Sequence, residues 1–385
     1  LWCHCRMVYL PMSYLYGGKF TVPDAPLLRQ LRAELYTTPY ASIRWASHRN
    51  NVSPLDIYFP HTPLMRALNA VLSAVEPYMP TALRRRGMAF AIEYIHAEDG
   101  HTRYVDIGPV NKTLNMVSVW YDAGAADSPA LRSHIARLGD YLWVSEDGMK
   151  MQGYNGSQLW DTTFAYQALA AAGPATQFKH LRALQEAYRY VDGSQVREDV
   201  RDRVRFFRDI SKGGWPFSTV DHGWPISDCT AEGVKVAVAA LRLQAEQGVR
   251  AFPTAGAAAG SDGGQPAITQ RRLEESVDVL LALQNDDGGW GTYEKKRGGA
   301  WFEWLNPAEV FGDIMVDYSW TECSSASTQA LLKLLRQFPD LRRREEARRA
   351  ALRGLDFIRA RQRPDGSWYG AWAVCFTYAG WFGTS

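Results

Sequence analysis

The sequence predicts an all-α fold, a ring of helix pairs of the α/α-barrel (toroid) kind. Three observations carry that prediction. Apolar residues recur at helical spacing along much of the chain, while period-two alternation is scarce. Each such run ends within a few residues in a Gly- or Pro-bearing loop, as helices closed by a C-terminal glycine do. A short pattern, Gln-x-x-x-Gly-x-Trp, also returns along the chain, as a set of repeated helix pairs would require.

In chain order, residues 163–172 (Phe164, Ala165, Leu169) form an apolar helical pattern. Residues 209–215 read as a degenerate copy of the repeat, with Asp209 in the Gln position. Ser227 suits the N-cap of a helix whose apolar face covers 234–243, which puts Asp228 in the first turn. Residues 252–270 are small-residue, low-complexity sequence and read as a surface insertion between helices. A helical pattern over 273–283 leads into Gln284-Asn285-Asp286-Asp287-Gly288-Gly289-Trp290. A further pattern covers 328–335, and the Arg-rich stretch 341–363 alternates with Glu and Leu as a solvated helix face does. It leads into the other full copy, Gln362-Arg363-Pro364-Asp365-Gly366-Ser367-Trp368. At each copy the Gln amide can bond backbone groups left open at a helix end, beside the Trp ring. These are structural staples, not catalytic groups.

Composition narrows the function classes. The chain of 385 residues can bury one large core or two moderate ones. With 43 basic and 41 acidic side chains the net charge is +2, so no nucleic-acid partner is expected. Five scattered cysteines, an odd number, argue for a reducing compartment without a disulfide framework. Cys3 and Cys5 have no second Cys/His pair at zinc-site spacing, so no metal is expected. No apolar run reaches bilayer-spanning length, and no signal peptide is visible. The chain opens at Leu1 inside Leu1-Trp2-Cys3-His4-Cys5-Arg6 and stops after Trp381-Phe382-Gly383, so it is expected to be a fragment of a longer protein. The aromatic content, 14 Trp, 19 Tyr and 15 Phe, exceeds what a core requires.

The densest chemistry lies in Ile226-Ser227-Asp228-Cys229-Thr230-Ala231-Glu232. A carboxyl stands beside a thiol, and Glu232 follows four residues later on roughly the same helix face. Aspartate donates a proton usefully at neutral pH only when burial keeps it protonated and a hydrogen bond polarises it. A bland reading is a first-turn carboxylate that favours the helix dipole. Trp215, Phe217 and Trp224 crowd the preceding loop, however, and a dry aromatic cavity suits carbocation chemistry, which water would quench. Ring faces attract a cation by about 0.5–2 kcal/mol each, whereas carboxylates would trap it.

The Asp228-Cys229-Thr230-Ala231-Glu232 run resembles the motif of the oxidosqualene cyclases, and long stretches at 1–16, 107–120, 149–161, 213–232, 292–299, 305–323 and 365–382 resemble the same family. Its Gln-x-x-x-Gly-x-Trp units are similar to those that squalene and oxidosqualene cyclases carry around their barrels. Squalene–hopene cyclases carry Asp-x-Asp-Asp where this chain has Ile226-Ser227-Asp228-Cys229. Protein prenyltransferases share the barrel, but their Asp-x-Cys zinc half-site is absent. The resemblance implies that Asp228 protonates the epoxide of (S)-2,3-oxidosqualene, that Cys229 and Cys323 bond its carboxyl, and that Glu232 helps re-protonate it through water. By the same resemblance Trp160, Phe217 and Trp372 face the travelling cation, and His4 and Tyr293 lie near the later protosteryl cation, with Trp2 in the same opening motif. Cys5, Tyr9 and Ile314 match residues that narrow the substrate entrance. Judged alone, Trp160 and Trp372 could equally be core, His4 structural and Cys323 a small buried hydrophobe.

Within the family, the combination of Tyr154, His222 and Ile226 resembles the cycloartenol-forming enzymes rather than the lanosterol-forming ones. Ile226 adds a methylene against the substrate, and His222 with Tyr154 could place the proton acceptor. The resemblance also implies two α-barrel domains, with residues 1–104 the end of the first and 105–385 most of the second. It implies no cofactor, an oily substrate, and monotopic attachment to the endoplasmic reticulum membrane or a lipid-droplet surface. Two other classes fit parts of the sequence. One is an α/α-barrel glycosidase using Asp228 and Glu232 at roughly 5–9.5 Å; the other is a helical-repeat binding module.

Overall fold

A computed structural model describes residues 1–247 and 268–385. The predicted insertion at 252–270 falls outside these residues except at its end. There the structure departs from the expectation: Ile268 is buried, and Thr269 caps the helix Gln270–Leu283 by accepting from the Arg272 amide. The chain forms two compact units. One comprises Leu1–Ile95, Leu114–Ser128 and Gly298–Val316; the other comprises His96–Thr113, Pro129–Arg297 and Asp317–Ser385. The units are thus assembled from separated stretches, where the sequence reading drew one cut after residue 104.

In the larger unit, three helix pairs follow one another: Gln158–Ala171 with Leu181–Ser194, Ser227–Gln247 with Gln270–Leu283, and Thr321–Gln337 with Arg344–Arg361. Cys375–Thr384 packs against Thr321–Gln337. The first members of successive pairs contact one another in order, giving the inner layer of an α/α arrangement. Burial explains the division of labour. Thr321–Gln337 is buried almost all round, whereas Arg344–Arg361 buries only Ala347, Ala350, Ala351, Gly354, Phe357 and Ile358. That is one stripe at helical spacing, as an outer helix requires. The predicted runs at 234–243 and 328–335 are the inner parts of longer helices, whose first turns are largely polar.

The Gln/Trp segments share one geometry. Trp215, Trp290 and Trp368 donate their indole N–H to the carbonyls of Val191, Leu280 and Ile358, each on the outer helix of its own pair. Gln284 Nε2 donates to the Gly288 and Ala350 carbonyls, both at 2.9 Å, and so ties one outer helix to the next. The reading of Asp209 as the third Gln is corrected: Gln195 Nε2 donates to the Gly213 and Arg272 carbonyls at 2.9 and 3.2 Å. Eighteen residues separate Gln195 from Gly213, against four in the other two copies, so spacing hid the match. Asp209 instead accepts from the Lys295 amide and pairs with Arg297.

The all-α prediction misses one small element, an antiparallel hairpin of Leu142–Ser145 and Gly148–Met151 paired from Leu142↔Met151 to Ser145↔Gly148. In the smaller unit, Thr62 caps Pro63–Val75 by accepting from the Met65 amide at 3.1 Å. Among the described residues, no helix is long and apolar enough to cross a membrane.

Candidate active site

Asp228 sits in the first turn of Ser227–Gln247, but Ser227 is the first helical residue and not the cap. Its amide donates to the Thr292 carbonyl and its hydroxyl to the Gly291 carbonyl, so the helix start is tied to the loop after Trp290. The preceding chain is fixed as tightly: the Ile226 amide donates to the Trp215 carbonyl, and the Trp215 amide to Thr230 Oγ1. A Cβ on Gly233 would lie 2.6 Å from the Trp215 ring, so only glycine lets that indole lie against the helix.

The side chain of Asp228 is 9 % exposed. Oδ1 accepts from the Cys229 amide at 2.7 Å, and Oδ2 accepts from Cys323 Sγ at 3.6 Å. Burial pushes its carboxyl up from 3.8 to about 6, with the nearby Glu232 charge acting the same way. The Cys229 amide and the two thiols hold it back from rising further, since each bonds the ionised form. Both thiols are pushed well above their ordinary range, by burial first and by Asp228 next, so they remain neutral donors. The arrangement keeps the carboxyl protonated to a higher pH than an exposed aspartate would be, with two neutral thiols beside it.

Glu232 is buried and held from both sides: Gln167 Nε2 donates to Oε2 and Lys235 Nζ to Oε1, each at 2.7 Å. An ion-paired carboxylate of this kind is poorly suited to the open-cleft base of a glycosidase. Lys235, itself buried, went unnoticed in the sequence although it stands three residues from Glu232. Tyr378, on Cys375–Thr384, was also missed; burial raises its phenol, and the charges of Asp228 and Glu322 add to the rise.

Aromatic rings of this unit meet in two groups, one running from Trp160 to Trp224 and one around Trp372. The Leu159 and Trp160 amides donate to the Ser218 and Phe217 carbonyls, which cap Gln158–Ala171 with backbone and stack the Trp160 and Phe217 rings at 5.9 Å. Tyr154 meets Phe217 edge-on at 5.3 Å and His222 at 6.3 Å. His222 in turn meets Tyr293 at 6.2 Å, and Tyr293 meets Trp224 at 5.9 Å. Trp224 is clamped: the Arg208 guanidinium lies 3.5 Å over its ring, and its N–H donates to Glu98 at 2.6 Å. Trp372 packs edge-on against Trp320 at 5.9 Å and is 37 % exposed. Its loop is held by Glu322, which accepts from the Ala371 amide at 2.9 Å.

Asp317 is the largest omission of the sequence reading. Its buried carboxylate accepts from the Thr292, Tyr293 and Glu294 amides and from the Thr292 hydroxyl, at 2.7 to 3.1 Å. It therefore sets the loop that presents Tyr293. Burial raises this carboxyl to about 7 against the pull of the three amides. Its only sequence signal was an acid set among apolar residues.

The remaining predicted residues belong to the smaller unit. Trp2 and His4 meet edge-on at 4.4 Å, and the Trp2 amide donates to Met315. Burial lowers His4 to about 4, with Arg6 adding to the effect, so the imidazole is neutral. Cys5 Sγ donates to the Ile314 carbonyl at 2.8 Å. Tyr9 is raised to about 12 by burial and by Cys5. The predicted entrance residues Cys5, Tyr9 and Ile314 thus fall in one unit. All five cysteines carry free thiols.

Asp99, Asp106 and His134 form a buried group with metal-ligand chemistry. Lys112 Nζ, however, lies 2.9 Å from His134 Nδ1 and 3.7 Å from Asp106, so an ammonium supplies the cation there. His134 Nε2 bonds Asp99 at 3.1 Å, completing a structural network.

The profile described as "Squalene-hopene cyclase C-terminal domain" matches residues 156–384. The chain belongs to the oxidosqualene cyclase family. It is 50 % identical to cycloartenol synthase of Dictyostelium discoideum over 382 residues, 99 % of this chain and 51 % of that protein. It is 48 % identical to lanosterol synthase of Mus musculus and 46 % identical to that of Homo sapiens, in each case over all of this chain and 50 % of the relative. The chain therefore spans about half the length of these curated relatives. Membership in the family makes the larger unit an α/α toroid.

Proposed function

We propose that the full-length protein carrying this chain cyclises (S)-2,3-oxidosqualene to cycloartenol. The observation that carries the reading is Asp228, a buried carboxyl held between two thiols with its pKa near 6. It gives its proton to the epoxide oxygen as the C–O bond opens, and the resulting cation passes along ring faces instead of meeting a nucleophile. Trp160, Phe217 and Trp372 are the rings assigned to that passage. Tyr293 and His4 serve the later cation, while Cys5, Tyr9 and Ile314 narrow the entrance. The choice of cycloartenol rests on Tyr154, His222 and Ile226, supported by the ring contact of Tyr154 with His222 and the burial of Ile226. Expression of the full-length protein with 2,3-oxidosqualene, followed by gas chromatography of the products, tests the assignment. Cycloartenol is expected; lanosterol alone would overturn the product, and unreacted substrate would overturn the activity.

The protein is also assigned to the face of the endoplasmic reticulum membrane or a lipid droplet. Support comes from two helices that expose apolar stripes, Leu27, Leu31 and Leu35 on Pro26–Leu35, and Leu64, Leu68, Val71 and Val75 on Pro63–Val75. An oily substrate would reach the enzyme from such a surface.

A further inference from the structure

The geometry points to Lys235 as the group through which solvent protons reach Glu232, and through it Asp228. The inference rests on the cyclase reading above and deepens it. A cavity of about 370 Å³ opens beside the C-terminal half of Ser227–Gln247. Gln167 and Lys235 line it, and these are the two side chains that donate to the buried Glu232 carboxylate. Arg242, Glu246 and Lys333 supply its other charges. Solvent in the cavity therefore meets the two donors, with Glu232 behind them. Of the two, an amide N–H does not release its proton, whereas an ammonium does.

The cyclase reading requires this traffic. Each cyclisation moves the Asp228 proton to the epoxide oxygen, while the proton lost from the final cation leaves elsewhere, so Asp228 must be recharged once per turnover. In the relay, an Nζ–H bond of Lys235 breaks as an O–H bond forms on Glu232 Oε1, leaving a neutral amine and a neutral acid. The amine then takes a proton from water in the cavity, and Glu232 passes its own to the Asp228 carboxylate one helical turn away. Lys235 acts through Glu232 and is a positioning residue, not a catalytic one.

The test separates the first turnover from those that follow, using the full-length protein and 2,3-oxidosqualene. Lys235→Arg preserves the ion pair, but a guanidinium does not give up its proton. Its first turnover, measured with enzyme in excess, should match the wild type, while its steady-state rate falls about 10²-fold. Lys235→Ala should show the same split, with its steady-state rate restored by added ethylamine. Wild-type behaviour of Lys235→Arg in both phases would reduce the pair to architecture and overturn the inference, as would equal loss in both phases. A wild-type protein that turns over no substrate would instead remove the cyclase reading itself.

Discussion

At the residue scale, Asp228 combines a cost in stability with a gain in chemistry. Its folded-state pKa, about 6, lies above the ordinary 3.8, so the neutral form is favoured by folding. That contribution is complete below about pH 3.8 and is lost as pH rises through 6. At pH 7 the buried charge then costs on the order of 2–3 kcal/mol. Asp228→Asn should therefore raise the melting temperature at pH 7, lose that advantage near pH 4, and abolish turnover at both, as calorimetry and product analysis would show. Cys323→Ala removes a donor to the ionised form. It should slow turnover roughly tenfold and move the alkaline limb of the kcat profile upward. This buried carboxyl was legible in the sequence because a motif marks it. Asp317 and Lys235 were not, since their importance lies in partners that fold brings to them, three backbone amides in one case and a buried glutamate in the other.

At the element scale, the helix pairs were readable wherever an amphipathic stripe or a glycine-closed end recurred, and unreadable where a connection lengthened. Gln195 shows why: its bonds are those of Gln284, but the chain takes a long excursion before returning to Gly213. Gln195→Leu should leave the Gly213 and Arg272 carbonyls to Ser276 Oγ alone, take from Arg272 Nε its acceptor, and destabilise the protein by about 1–2 kcal/mol, measured by denaturant unfolding. Gly233→Ala should cost a similar amount, about 1–3 kcal/mol, because the added methyl meets a tryptophan that has nowhere to move. The hairpin at 142–151 escaped notice because it is a short, two-stranded element with both faces exposed, so it carries no alternating pattern.

At the scale of the whole molecule, the aromatic surplus divides between packing and the proposed site. Flotation with liposomes tests the surface assignment: replacing Leu27, Leu31 and Leu35 together by Ser should release the full-length protein from vesicles while leaving its circular dichroism unchanged. Trp215, Trp290 and Trp368 serve as ties between helices, as the repeat predicts. Trp224 goes further. A permanent guanidinium already rests on its π cloud, drawing electron density toward itself and repelling any second positive charge from that side. An indole so occupied has little left to offer a second cation, and the proposed reading accordingly gives the late cation to the phenol of Tyr293, whose ring lies 5.9 Å away.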